Sequence, residues 1–303
     1  MSSRSIPTDD EFFRMFPTDE TCTQYLLDAG VFFNNMVCQN CHKPMKLSIQ
    51  QEKWRCNGNK CNKKISIRQK SFFSRSHLSC KTILNIARKW LNNESVTSTI
   101  NSTGCAKQTI TNFFHDFRQL VSDHPHHEDY IIGGEDIIVK VDESKISKRK
   151  YHRGHHVEGA WLLGGVERTA ERKVFLVEVP DRRAETLLTE LGRYIKPGSI
   201  VYSDMFSSYF KISETLPFSH LSVNHSKEYV RLIEEEAEDG WILVTKIHTN
   251  TIEGTWAGLK LAIPKRNRTK NIEEHLFEFI WRRKNKKILW KALIAALKSN
   301  MYQ

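Results

Sequence analysis

The sequence predicts an α+β protein of more than one domain. Three observations carry that prediction. Two close cysteine pairs fall within residues 38–61, amphipathic helical segments run over 80–121, and apolar spacing changes from 3.6 to 2 near residue 135. At 303 residues the chain is long for one domain, and 39% hydrophobic residues argue against wholesale disorder. No apolar run approaches the roughly 18 residues a membrane span needs, and Met1 to Asp10 form no signal-peptide core. The seven cysteines, four of them in short pairs, point to a metal in a reducing compartment and not to a secreted disulfide framework.

The net charge is +11, with a sequence pI near 9.3, which favours a polyanionic partner, nucleic acid first. The charge is segregated. Residues 1–37, read as an N-terminal helical segment, carry −4; residues 38–90 carry +12; residues 264–291 carry +7. An acidic stretch, Glu234 to Asp239, separates the basic regions. Two backbone-contacting surfaces fit this pattern, although any single run also fits a solvated helix face.

Cys38-x-x-Cys41 and Cys56-x-x-x-x-Cys61 are fourteen residues apart, the spacing of a ribbon holding one structural Zn²⁺ on four thiolates (residues 38–75). The metal would supply folding energy to a segment too small to fold alone. Gly58 supplies a permissive backbone inside the second turn. His42 is not needed as a ligand, and Cys22, Cys80 and Cys105 read as small core residues.

Residues 76–127 follow as a helix-turn-helix outline. Ile83, Leu84, Ala87, Trp90 and Leu91 share one helical face, with Lys81, Arg88 and Lys89 opposite. Ser95 caps a short polar helix that Gly104 breaks, and a third helix buries Ile110, Phe113, Phe114, Phe117 and Val121. Its exposed Lys107, Gln108, Thr111 and Asn112 are of types that read base edges. A three-helix packing unit without DNA contact gives the same pattern. His124-Pro125-His126-His127 reads as a linker.

The remaining domain, 134–291, starts with strands. Residues 135–142 end on Asp142; 158–167 and 172–179 continue a meander; 185–195 is helical; 199–204 is a strand ending on Asp204; 220–225 is a further strand; and 251–263 is a helix carrying Glu253. This order is that of a ribonuclease-H-like mixed α/β domain. Carboxylates at strand ends are costly to desolvate unless solvated, paired or metal-bound. Asp142, Asp204 and Glu253 together could hold two Mg²⁺ (or Mn²⁺) ions about 3.5–4 Å apart for in-line phosphoryl transfer. Any one aspartate could equally be a turn-former. Lys260 lies two helical turns after Glu253, about 10.5 Å along the same face, where it could hold a phosphate.

The stretches VDESKISKRKYHRGHHVEGAWLLGGVER, VPDRRAETLLTELGRYIKPGSIVYSD, HLSVNHS and HTNTIEGTWAGLK resemble the insertion-sequence DDE transposases of the ISXO type, whose eukaryotic relatives are the Merlin elements. FPTDETCTQYL and the cysteine region resemble the family's N-terminal part, so the similarity covers nearly the whole chain. The resemblance implies that Asp142, Asp204 and Glu253 are the DDE triad, with 61 and then 48 residues between them, and that Lys260 is the lysine following the acid. It places Lys148, Arg149, Lys150, His152 and Arg153 by the active site against DNA, with His225 near the metals and Asn250 as a weaker candidate. The acidic stretch at 234–239 departs from the family's motifs.

Three functions are thus expected in competition. The first is an active DDE transposase acting on double-stranded DNA, both transposon ends and target, as a homo-oligomer on DNA. The second is a catalytically silent, transposase-derived DNA-binding protein. The third is a ribonuclease-H-like nuclease, which the ribbon and helix-turn-helix argue against. The expected location is the nucleus in a eukaryote and otherwise the cytoplasm. RRKNKK (282–287) fits an import signal or a DNA-facing helix equally.

Overall fold

The structure, a computed structural model, describes residues 5–58, 60–122, 130–146, 160–223, 231–236, 242–247, 250–263, 268 and 272–299. The chain divides into two compact units, residues 1–123 with 285–303, and residues 124–284. Among the described residues no helix is long and apolar enough to cross a membrane.

The first unit opens with helix α1 (Asp9–Met15), closed by a Thr8–Glu11 capping box, and α2 (Asp19–Asp28). Strands β1 (Met45–Ser48), β2 (Lys53–Cys56) and β3 (Lys64–Ser66) then form a small antiparallel sheet. Its buried core is Cys38, Met45, Trp54 and Ile65, with Met36, Leu47 and the cysteines Cys41, Cys56 and Cys61 half-buried against it, a small core for an independent sheet. Helices α3 (Cys80–Leu91), α4 (Val96–Thr103) and α5 (Lys107–Ser122) follow. Ser95 accepts from the Ser98 amide at the start of α4, and Gly104, at φ 69°, ends it.

The aromatic face of α5 packs as the sequence pattern requires. Phe117 stacks on Phe72 at 5.2 Å and meets Phe113 at 5.9 Å and Trp90 at 5.7 Å. Phe114 is only half-buried. A correction concerns α3, where Arg88 and Lys89 are buried instead of facing solvent. Arg88 pairs with Asp9 and lies over the Phe12 ring at 5.4 Å, while Lys89 reaches Glu94 at 3.3 Å. Each long stem is covered and each charge keeps a partner.

The second unit begins with the short strand β4 (Ile132–Gly133) and the strands β5 (Ile138–Lys145), β6 (Trp161–Glu167) and β7 (Val174–Val179). Helix α6 (Ala184–Tyr194), β8 (Ile195–Lys196), β9 (Ile200–Asp204), a 3-10 turn at Ser207–Tyr209, α7 (Ile212–Thr215) and β10 (Ser219–Val223) come next. The main sheet has the order β10-β9-β5-β6-β7, with β10, β9 and β5 parallel and β6 and β7 antiparallel. Strands β11 (Arg231–Glu236) and β12 (Ile242–Ile247) form a separate antiparallel hairpin. The sequence pattern predicts no strand there, because the glutamates of β11 mask its alternation; Ala237 to Asp239, the rest of the acidic stretch, lie outside the described residues.

Helices α8 (Asn250–Ala262) and α9 (Ile272–Lys284) complete this unit. One sheet face packs Val139, Val141, Leu163, Phe175 and Val201 against Leu187, Leu191 and Tyr209. The other packs Leu162, Val166, Val174 and Leu176 against Ile252, Trp256, Leu259, Ile272 and Leu276. The strands' alternation therefore serves helices on both sides.

The last helix, α10 (Leu289–Ser299), belongs to the first unit, where it packs on α3 and α5. The expected boundary at residue 291 falls inside this helix. Trp290 explains the placement: its ring meets Phe12 at 6.1 Å and its Nε1 donates to the Tyr25 hydroxyl at 3.2 Å.

Phe117 is fully buried beside three aromatic rings, those of Phe72, Phe113 and Trp90, and cannot be replaced without a cavity. Phe117→Ala is expected to lower the unfolding free energy by about 3–5 kcal/mol, read by urea denaturation.

Candidate active site and metal centre

The four predicted thiols converge. All four sulfurs lie within 4.8 Å of one another, with Cys38 to Cys61 at 3.6 Å and Cys41 to Cys56 at 3.2 Å. A tetrahedron with Zn–S about 2.3 Å spaces its sulfurs about 3.8 Å apart, so the donor set fits a structural metal such as Zn²⁺. Backbone amides prepare the charge: those of Asn40 and Cys41 hold the Cys38 thiol down to about 6. Cys56 accepts from the Gly58 amide at 3.3 Å, yet its thiol neighbours and burial push it up to about 12.

Gly58 is required, though not for a left-handed backbone. A Cβ there would meet the Cys41 sulfur at 2.9 Å and the Cys56 sulfur at 3.3 Å. The left-handed positions of the two turns are His42, at φ 57°, and Lys60, at φ 67°. Cys22 and Cys80 are buried away from the cluster, and Cys105 is half-buried.

Four thiolates compete with protons for the metal, so affinity must fall as pH falls. Removing the metal by chelation, or replacing Cys41 with Ser, is expected to unfold the β1–β3 segment and raise its amide exchange to unprotected rates. Metal content by elemental analysis and hydrogen exchange over residues 36–67 check this.

In the second unit, Asp142 differs from its expected position. It is not the last residue of its strand, because β5 runs on to Lys145 along β6. On the other flank β5 pairs with β9 only through Ile138↔Ile200, Val139↔Val201 and Lys140↔Tyr202. Asp142 and Asp204 each lie two residues beyond that last pair. They occupy equivalent places on adjacent parallel strands, at the carboxyl end of the sheet, where such folds form their crevices.

Helix α8 covers the Asp142 side of this crevice. The Trp256 indole is 4% exposed, and its Nε1 donates to Asp142 Oδ2 at 3.0 Å. The indole fits because Gly164 is the residue paired with Asp142 across the β5–β6 ladder. A Cβ on Gly164 would lie 2.7 Å from Trp256 Cη2. Glu253 precedes Trp256 by one helical turn and is exposed. Lys260 and Asn250 are exposed on the same helix. Lys140, on the Asp142 face of β5, is buried, donates to Thr251 Oγ1 at 3.2 Å, and is pushed down to about 8 by burial and then by Arg168 and Arg172.

Burial pushes the Asp142 carboxyl up to about 6, opposed by the Trp256 hydrogen bond and reinforced by the charges of Asp204 and Glu253. Glu143, on the opposite face of the strand, is pushed up to about 7, first by burial, with Asp142 and Asp204 adding to it and Tyr209 and Arg182 opposing. Asp142 thus feels the charges of both other expected acids. The three acids are looser than the thiols: among the described residues only the cysteines gather ligand atoms within 4.8 Å.

Sequence reading did not single out Trp256, Gly164, Lys140 or Glu143. The GTW at 254–256 and the paired glycines of LLGG were visible as residues, but only the ladder register reveals that they meet. Lys107, Gln108, Thr111 and Asn112 do lie exposed at the start of α5, with Gln108 Nε2 donating to Asn112 Oδ1 at 2.7 Å. Of RRKNKK, Arg282 is held by Glu278 at 2.8 Å and Arg283 donates to the Arg172 carbonyl at 3.2 Å. Lys148, Arg149, Lys150, His152, Arg153, His225 and the His124–His127 linker lie outside the described residues.

The second unit is thus a mixed α/β domain with acidic residues at the carboxyl end of its parallel strands. Residues 121–284, just over half of the chain, match the ISXO2-like transposase domain, and the chain belongs to that family. The family implies a transposase role and DNA as the partner. An uncharacterized transposase-like protein of Haemophilus influenzae is 32% identical over 128 residues, covering 42% of this chain and 91% of that protein. A chain in the cryo-EM structure of the simian T-cell lymphotropic virus intasome in complex with PP2A regulatory subunit B56 gamma aligns at 13% identity. That alignment covers 60% of this chain and 59% of that one with a TM-score of 0.27, a likeness too slight to carry an argument.

The raised Asp142 pKa has a consequence for stability. A carboxyl raised above its ordinary value of 3.8 contributes stability below that pH and loses it as pH rises through about 6. Without divalent ions at pH 7.5, Asp142→Asn is therefore expected to be more stable than wild type, by up to about 3 kcal/mol. The advantage should vanish at pH 4. Thermal melts at the two pH values check this; a lower melting point for the variant at pH 7.5 would contradict the burial argument.

Proposed function

We propose that this protein is an active DDE transposase. It binds transposon-end DNA, hydrolyses a phosphodiester and joins the freed 3′ end to target DNA. The observation that carries the reading is the matched placement of Asp142 and Asp204 beyond the last β5–β9 pair, with Glu253 on the helix that seals Asp142. The sheet order supports a ribonuclease-H-like fold, since three meander strands are extended by two parallel ones beside the first.

Asp142, Asp204 and Glu253 would hold two Mg²⁺ or Mn²⁺ ions. Bound there, the ions supply activation of the attacking water or 3′-hydroxyl and stabilisation of the leaving oxygen. The chain supplies the rest. Trp256 orients the Asp142 carboxylate, the buried β5–β6 ladder keeps water from its sheet side, and Lys260 is placed to take a DNA phosphate. In hydrolysis the water oxygen bonds to phosphorus, the bond to the 3′ oxygen breaks, and that oxygen leaves with a proton. In joining, the freed 3′-hydroxyl takes the place of water: its oxygen bonds to a target phosphorus, the target's own bond to its 3′ oxygen breaks, and that oxygen leaves with the proton.

The cysteine ribbon and the α3–α4–α5 helices are proposed as the end-binding elements, α5 reading base edges with Lys107, Gln108, Thr111 and Asn112. The basic segment with Lys148, Arg149, Lys150, His152 and Arg153 is proposed to contact DNA near the acids. Two ends must be cut in concert, so a homo-oligomer on DNA is part of the proposal.

The test is nicking and strand transfer on a labelled duplex carrying the element's own ends, with Mg²⁺, for wild type and Asp204→Asn. Wild type is expected to cut, and the variant to bind equally while cutting at least about a thousandfold more slowly. Binding without cutting, under Mg²⁺ and Mn²⁺ alike, would leave the catalytically silent DNA-binding protein instead.

A further inference from the structure

We propose that Arg182, held on the faces of Trp161 and Phe206, binds a backbone phosphate of the DNA strand entering the acidic crevice. This rests on the transposase reading and adds a contact that lies outside the metal-binding acids and the basic segment.

The geometry is that of a prepared cation. The guanidinium carbon lies 4.0 Å from the Trp161 ring centre and 5.0 Å from that of Phe206. Stacking occupies the flat faces of a guanidinium and leaves its in-plane N–H donors free, the edge that matches a phosphate. Arg182 is exposed, and among the described residues its guanidinium has no ion-pair partner. A stacked arginine has already lost rotamer freedom, so less is lost on binding.

The platform is tied to the acids on both sides. Phe206 lies two residues after Asp204 and its amide donates to Asp204 Oδ1 at 3.1 Å. Ser208, in the following turn, donates to the Arg182 carbonyl at 2.9 Å. Trp161 pairs in the β5–β6 ladder with Lys145, three residues after Asp142, and Lys145 Nζ lies 5.3 Å from the same indole. Arg182 also acts on Glu143, which neighbours Asp142. A crevice lined by Asp142, Asp204 and Glu253 repels a polyanion. Cations fixed at its rim offset that repulsion where the strand must enter.

The full chain is tested on a labelled duplex carrying the element's ends, with binding by fluorescence anisotropy over a KCl series and cleavage by single-turnover assay. Arg182→Ala is expected to flatten the slope of log affinity against log salt by about 0.9, the value of one phosphate contact. Its cleavage should fall about tenfold, the effect of one charge-assisted hydrogen bond. Arg182→Lys keeps the charge without the planar fork; it should restore the slope and only part of the cleavage. Arg183→Ala removes the adjacent arginine, whose side chain is 84% exposed, and should leave both near wild type.

The proposal is overturned if Arg182→Ala matches wild type in slope and cleavage, or if Arg183→Ala falls as far as Arg182→Ala. If wild type itself does not cut, the transposase reading fails separately, and the salt slopes still decide whether Arg182 holds a phosphate.

Discussion

A carboxylate packed where water is scarce organises the second unit. Asp142 is pushed up to about 6 by burial, with Asp204 and Glu253 adding their charge. Such a group is held by its surroundings at a cost in stability, and a bound cation relieves it. The surroundings are specific. Trp256 reaches across from α8 to donate to Asp142, and it can do so because the facing residue on β6 has no side chain. Two hydrogen bonds, this one and that of Lys140 to Thr251 Oγ1, therefore join the helix carrying Glu253 to the strand carrying Asp142. The helix, the meander and the parallel strands must all be in register before the three acids can act together.

The first unit solves a different problem by related means. Its small sheet has four buried core residues, and the cysteine cluster beside them could hold a structural metal that adds folding energy. Amides of Asn40 and Cys41 favour the Cys38 thiolate before any metal arrives. The helices beside it rely on ordinary packing, with Phe117 and Trp90 at the centre and two buried cations, Arg88 and Lys89, each kept by a carboxylate.

Much of this was legible in the sequence, for physical reasons that differ by element. The cysteine spacing, the α3 and α5 faces, the Ser95 cap and the strands β5, β6, β7, β9 and β10 follow from periodicity and turn chemistry, which are local; the two-residue β8 reads as the end of α6. What stayed hidden depends on contacts between distant segments. Arg88 looked solvent-facing because Asp9, its partner, lies far back in the chain. The β11–β12 hairpin was obscured by its own glutamates. Asp142 looked like a strand end because the apolar run stops there, yet the ladder with β6 continues for three more residues. The Gly164–Trp256 fit can be seen only once the register is known.

The most direct test of this account is a crystal structure of the full chain grown with Mn²⁺, with manganese located by its anomalous scattering. The account predicts manganese bound between Asp142, Asp204 and Glu253, with the Trp256 hydrogen bond to Asp142 retained. Manganese bound elsewhere, with Asp142 still sealed against Trp256 and no metal in the crevice, would contradict it.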